Sequence, residues 1–308
     1  MESLARQPAV TSWWDPLALV ATMFLSALCY PLITVGLGFA PHLTFATLRA
    51  LIAGVALTLV ACVLKPPMPR GWRTWAALAA IGFSTTSLGF LGMFHAAAFV
   101  SPGLATVIAN SQPLIAGIMA WLLLHERLSR AQAIGLFIGF LGIVVISLSR
   151  LVEPTRANLA VGVGYAAFAA CGVAFGNVLM KSLAHRVDPL VAMATQTLLG
   201  AIPLAVRSLD REQPFAIVWS AAFIASLLGL ALLGTAAFYW LWFTLLGRMP
   251  VSRANAFTFL APFFGFALGV AFFGEHIGPA ATTGLSLAAI GIVLVERGSL
   301  APVVRLRE

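Results

Sequence analysis

The sequence predicts an all-α membrane protein: ten transmembrane helices in two inverted five-helix repeats, with both termini inside. Three observations predict it. The 308 residues are 61% hydrophobic and only 9% charged. A water-facing protein carries about 25% charged residues, so lipid has to be the solvent. The apolar runs are continuous and about 17 to 25 residues long, the length a helix needs to cross the hydrocarbon. They lack the alternation of an outer-membrane strand. Finally, residues 101–147 and 250–296 align without a gap at an offset of 149. That register pairs Pro113 with Pro262, Glu126 with Glu275, Gly135 with Gly284 and Gly142 with Gly291. An internal repeat inverted in the membrane points to a transporter with its site between the halves.

The spans are expected at about 16–35, 43–64, 73–94, 102–124, 131–149, 159–180, 190–206, 216–246, 251–273 and 280–297. Asp15 and Pro16 form a cap and first turn for helix 1, with Trp13 and Trp14 as interfacial anchors ahead of it. Helix 2 stops before Lys65-Pro66-Pro67, helix 4 opens at Pro102-Gly103, and the segment from His276 to Pro279 separates helices 9 and 10. Gly135-x-x-x-Gly139 on helix 5 and Gly265-x-x-x-Gly269 on helix 9 are spacings that let helices approach closely. No signal peptide is expected, since Arg6 is the lone basic residue ahead of helix 1 and no small-residue cleavage site follows.

Lys and Arg set the orientation. With the N-terminus inside, thirteen of them fall in cytoplasmic segments, four in outer loops and one, Arg49, within a span. This bias predicts N-in and C-in. Five helices per half is odd, so the second half enters the membrane reversed. Glu126 then ends helix 4 at the cytoplasmic side, and Glu275 ends helix 9 at the outer side. The net charge of +8 belongs to these short loops rather than to a nucleic-acid-binding stripe. Cys29, Cys62 and Cys171 fall inside spans and read as small packing residues, not as a disulfide framework.

Arg49 is the formally charged side chain well inside a span, roughly 9 Å deep at 1.5 Å per residue. A charge there has to be paired, hydrated or snorkelled. Two readings stand open: it draws a carboxylate or phosphate into a wet cavity, or it ties helix 2 to backbone carbonyls or snorkels outward. Glu126 and Glu275 sit at helix ends, where a carboxylate accepts N–H bonds from the following turn, a structural role. No Asp or Glu is expected at mid-membrane depth, which argues against a proton-driven antiporter. His42, His95, His125, His185 and His276 lie at helix ends or in loops. Pro113 and Pro262 interrupt helices 4 and 9 at matching positions and read either as hinge or gate points or as packing geometry alone. Tyr30, Ser84 to Ser87, Asn110, Ser111, Gln112, Asn177, Gln196, Thr235, Tyr239, Asn255 and Thr258 are polar at depths where such groups face another helix or water. Tyr239 and Phe243 share a face of helix 8, next to Trp242. With Phe90 and Phe94 they either wall an apolar-aromatic pocket or serve as lipid-facing bulk. No metal-ligand, P-loop or nucleophile motif occurs, so no metal or cofactor is expected and the chain is not read as an enzyme.

The segments FVSPGLATVIANSQPLIAGIMAWLLLHERLSRAQAIGLFIGFLGIVVI and WFTLLGRMPVSRANAFTFLAPFFGFALGVAFFGEHIGPAATTGLSLAAIGIVLV resemble the two EamA-type repeats of the drug/metabolite transporter superfamily. FATLRALIAGVAL, which carries Arg49, is similar to that family's helix 2. Two departures are His125, where Gly is usual before Glu126, and Gln196 with Thr197 near the place that Arg49 holds in the first half.

The resemblance implies repeats at 16–149 (helices 1–5) and 159–297 (helices 6–10), around a central cavity lined by helices 1, 3, 4, 6, 8 and 9. It implies an alternating-access transporter in a bacterial inner membrane, moving amino acids or other small metabolites outward. Cargo contacts are then expected from Arg49, Tyr30, Asn110, Tyr239, Asn255, Phe90 and Trp242, without proton coupling and with one chain able to enclose the cavity. A proton-coupled exporter of amphipathic drugs or cationic metabolites is the competing reading. An intramembrane enzyme or a scaffold is the remoter one.

Overall fold

A computed structural model describes residues 14–92, 111–126, 128–148, 159–213, 216–273 and 278–300. Helices account for its regular structure, and no strand occurs among these residues. The helices are α1 (Trp14–Leu37), α2 (His42–Leu64), α3 (Trp72–Gly92) and α4 (Gln112–Leu124). They continue with α5 (Arg130–Leu148), α6 (Leu159–Leu183), α7 (Pro189–Arg211), α8 (Ala221–Arg248), α9 (251–273) and α10 (Pro279–Leu300). Seven of these are long and apolar enough to cross a membrane by length and composition, namely α1, α2, α3, α6, α7, α8 and α10.

Four helices depart from regular α geometry. α1 breaks at Leu28, between Trp14–Ala27 and Cys29–Leu37. α3 widens into a π-helical turn over Gly82–Leu88, and α8 does the same over Leu232–Ala237. α9 runs as Val251–Ala256, tightens to a 3₁₀ turn over Phe257–Leu260, and resumes as Ala261–Phe273. Pro262 is the second residue of that resumed piece, and Pro113 is the second residue of α4. Pro113 thus stands in the first turn of α4, where a missing N–H costs little, whereas Pro262 lies inside α9, directly after its 3₁₀ turn. The expected helix 4 residues 102–110 lie outside the described residues.

α2 shows how an inside-out amphipathic helix is written. Leu51, Val55, Leu59 and Val63, spaced by four, are its exposed side, whereas Arg49, Ala50, Ala53 and Leu57 are buried. Residues four apart share a face, so the large apolar stripe is left for lipid and the small residues let α7 come close. A second close approach joins α5 to α10. A Cβ on Gly135 would lie 2.7 Å from the Gly291 carbonyl oxygen, and one on Gly142 would lie 2.5 Å from that of Gly284. These are the same four glycines that the offset of 149 pairs, now meeting crosswise. Gly139 seats the Phe259 ring, whereas Gly265 has nothing within 4 Å. The GxxxG spacing therefore marks close packing on α5, and the Gly265 end of the α9 spacing faces open space.

Gly135→Val is expected to lower stability by about 1–3 kcal/mol, the usual cost of forcing bulk into a packed contact. Gly265→Ala should leave the thermal midpoint unchanged. Thermal unfolding of the detergent-solubilised protein, followed by tryptophan fluorescence, checks both.

Candidate functional site

Two polar clusters lie deep between the helices. The first is a chain of amides. Trp242 Nε1 on α8 donates to Asn177 Oδ1 on α6 at 3.0 Å, and Asn177 Nδ2 donates to Asn255 Oδ1 on α9 at 3.1 Å. Gln112 Nε2, at the start of α4, donates to the same Asn255 oxygen at 2.6 Å. Asn255 Nδ2 returns to the Val251 carbonyl at 2.9 Å. All four side chains are buried, and Phe238 stacks on Trp242 with ring centroids 6.1 Å apart and planes 8° from parallel. Buried amides stay only where their donors and acceptors are met. Here each meets one from a different helix, so α4, α6, α8 and α9 converge on one point.

The second cluster surrounds Arg49. Its Nε donates to Thr235 Oγ1 at 2.7 Å, and its Nη2 donates to the Gly234 carbonyl at 3.3 Å. The guanidinium carbon lies 4.5 Å from the centre of the Phe90 ring, within cation–π range. The π-helical turn of α8 makes this possible. The N–H of Phe238 goes to the carbonyls of Leu233 and Thr235 and passes over Gly234, whose oxygen also takes the Cys29 thiol at 3.4 Å. Thr86, on the π-helical turn of α3, donates to Gln196 Oε1 on α7 at 3.2 Å, with the Thr85 hydroxyl at the same distance. The buried Tyr239 hydroxyl faces Thr86 and Arg49. Runs of Ser and Thr that bond back to helix carbonyls go with widened turns. Ser84 reaches the Ala80 carbonyl at 2.6 Å, and Thr235 reaches back five residues to Leu230 at 2.9 Å.

Each end of the bundle has a carboxylate clasp. Glu126 Oε2 accepts the Val251 N–H at 2.9 Å. The cap therefore falls on the start of α9 and not on the turn that follows Glu126. Lys181 Nζ meanwhile donates to the Leu246 and Met249 carbonyls at 2.8 and 2.7 Å. The pair holds the α8–α9 turn by both its free donors and its free acceptors. Burial pushes the Glu126 carboxyl above the ordinary range, opposed by the Lys181 charge and the Val251 N–H. His125 closes α4 in the left-handed region, φ 54°, which explains why glycine suits that place. At the other end, Glu212 takes the N–H groups of Leu43 and Thr44 at 2.9 and 2.8 Å and caps α2. His42 Nδ1 stands 3.1 Å from the same carboxylate. Arg253 on α9 pairs with Glu296 on α10.

The structure brings together Asn255 and Trp242 in one cluster and Arg49, Phe90 and Tyr239 in the other. Asn110 and Glu275 lie outside the described residues, as do His95, His276 and Phe94. Tyr30 lies on α1, but its side chain is not described. Gln112, Asn177, Gln196 and Thr235 are polar residues of the sequence that turn out to be buried contact points. Glu212 was not singled out, since nothing local in the sequence distinguishes a carboxylate capping a helix 169 residues away. No group of His, Cys, Asp and Glu among the described residues is placed to hold a metal ion.

This fold, apolar on its outside and polar at depth, is that of an integral membrane transporter. The chain belongs to the EamA-like transporter family, which matches residues 12–148 and again residues 160–297. It is 31% identical over 280 residues to a protein of Bacillus subtilis named "Uncharacterized transporter YvbV", covering 88% of each chain. It is 29% and 28% identical to proteins of Salmonella typhimurium and Escherichia coli, each named "Probable amino-acid metabolite efflux pump", covering 87% of this chain and 88% of each relative. A solved crystal structure superposes with a TM-score of 0.80 at 20% identity, covering 90% of this chain and 96% of the other. The family and these relatives are transporters and not enzymes, and the long apolar helices make the chain an integral membrane protein.

The folded protein holds the Glu126 proton more tightly than the unfolded chain, so stability is greatest below the ordinary carboxylate value and falls as pH rises through the raised one. Glu126→Gln, which keeps an acceptor for Val251, should flatten that slope. Thermal midpoints at a series of pH values above 4.5, wild type against variant, are the check.

Proposed function

We propose that this protein is an alternating-access exporter of small metabolites of amino-acid type. Its ten helices form two inverted halves, 16–149 and 159–297, with both termini in the cytoplasm. The observation that carries the reading is the amide chain Gln112–Asn255–Asn177–Trp242. It is a neutral, donor- and acceptor-rich group drawn from four helices of both halves, which suits a zwitterion better than an ion of one sign. Two relatives carry the name of amino-acid metabolite efflux pumps, which supports the cargo class. Asn255 and Trp242, with Asn110, Tyr30 and Tyr239, supply hydrogen bonds to cargo, and Phe90 supplies an apolar wall. Arg49 stands behind them as a fixed positive field, held by Thr235 and Gly234. Pro113 and Pro262, where helical pieces start, serve as hinge points. Transport proceeds by facilitated diffusion or exchange, since the deep clusters of the described residues hold no carboxylate.

Two observations favour a proton-coupled second reading, in which the cargo is an amphipathic drug or a cationic metabolite. Glu126 is a partly buried carboxyl raised above its ordinary range, and Asp15 is a buried carboxylate bonded to Arg248 at 3.1 Å.

Counterflow in proteoliposomes, with a panel of labelled amino acids and no pH or voltage gradient, separates the two. Accumulation of one or a few amino acids is expected. Uptake that appears only under a pH gradient would overturn the uncoupled mechanism, and no amino-acid signal in either condition would overturn the cargo class. Trp242→Phe shortens the ring and takes the donor from Asn177, a bond of about 1 kcal/mol. It should raise the half-saturating concentration about fivefold and lower the thermal midpoint, because Asn177 is left with a buried acceptor unmet.

A further inference from the structure

The π-helical turns of α3 and α8 stand in one register. Thr86 is the fifteenth residue counted from Trp72, and Thr235 is the fifteenth counted from Ala221. The helix skips a carbonyl at the same place in both. Gly89 N–H goes to Ser84 and Thr86 and passes over Thr85, as Phe238 N–H goes to Leu233 and Thr235 and passes over Gly234. α2 and α7 match as well. Each has 23 residues, and Arg49 and Gln196 are both the eighth. The contacts between these elements cross. Arg49, early in the chain, holds Thr235, late in the chain. Gln196, late in the chain, holds Thr86, early in the chain.

We infer that Arg49 and Gln196 are a matched pair of positioning residues, each latching the flexible π-helical turn of the opposite half and together setting the balance between the two open states of the transport cycle. π-Helical turns recur at functional sites because an extra residue in a turn weakens the backbone ladder. A latch that reaches such a turn from the other half ties the bending of one half to the position of the other. In an inverted repeat the two halves exchange roles when access switches sides, so two latches at equivalent places are what that exchange needs. They differ in kind. Arg49 makes charge-assisted bonds to Thr235 and the Gly234 carbonyl, whereas Gln196 makes neutral contacts with Thr85 and Thr86, beside the bond from Ser87 to the Gly200 carbonyl. This inference rests on the alternating-access reading.

Hydrogen–deuterium exchange on the full chain in nanodiscs tests it without any cargo, so its failure and that of the counterflow assay are distinguishable. The amides of 82–88 and of 232–237 are the ones to follow. Arg49→Gln should speed exchange at 232–237 about tenfold while changing 82–88 little, and Gln196→Ala should speed 82–88 about fivefold while sparing 232–237, as expected for losing a charged and a neutral bond. The exchanged double variant Arg49→Gln, Gln196→Arg should restore protection to both turns. A residue needed only for folding would loosen both turns together and gain nothing from the exchange, and either result overturns the inference. Should the Arg49 variants fail to fold, Thr235→Val and Thr86→Val remove only the hydroxyl partners. The same one-sided pattern is then expected, and a two-sided one rejects the pairing.

Discussion

A guanidinium placed in hydrocarbon must be given partners, and much of the interior is arranged around the ones Arg49 receives. A charge at that depth costs at least a few kcal/mol when left alone. Arg49 takes a hydroxyl and a carbonyl from α8 and an aromatic face from α3. The carbonyl is on offer because the π-helical turn passes over Gly234. One irregularity thus answers another: a charge that lipid rejects meets an acceptor that the helix leaves over. The result binds α2 to α8 across 186 residues of sequence.

The other polar contacts follow the same economy. The amides of Gln112, Asn177 and Asn255 satisfy one another and so draw four helices together. At the two ends of the bundle, helix termini present unmet donors and acceptors. Glu126 with Lys181 meets them at one end, and Glu212 meets them at the other. The apolar surface contributes little to the choice of partner helices, because lipid tails are as apolar as leucine. Small residues and polar contacts decide the arrangement, as the glycine crossing of α5 and α10 and the crossed threonine latches of α3 and α8 show.

Much of this was legible in the sequence. The all-helical membrane character and the transporter family could be read from apolar runs and paired motifs, and Arg49 stood out as a single charge in an apolar run that the fold buries. The offset that pairs Gly135 with Gly284 and Gly142 with Gly291 foreshadowed their crossed contact. Contacts between distant helices were not legible, because periodicity reports which face is polar and not which helix will meet it. Gln196 lay near the place of Arg49, yet its bond to Thr86 needs a π-helical turn that no residue pattern announces beyond the run Ser84 to Ser87. Gly265 carried the same spacing signal as Gly135 and faces open space. Pro113 read as an interior kink and sits in the first turn of α4. Glu212 carries no local signal in the sequence, and the fold brings its carboxylate onto α2.

The most direct test of this account is a double-mutant cycle on Arg49 and Thr235. Thermal unfolding in nanodiscs would be measured for the wild type, Arg49→Gln, Thr235→Val and the double variant. A shared, desolvated bond predicts a coupling of about 1–2 kcal/mol, within the range for residues in direct contact. Additive effects, with coupling near zero, would contradict it and leave Arg49 without the partner on which the rest of the interior is built.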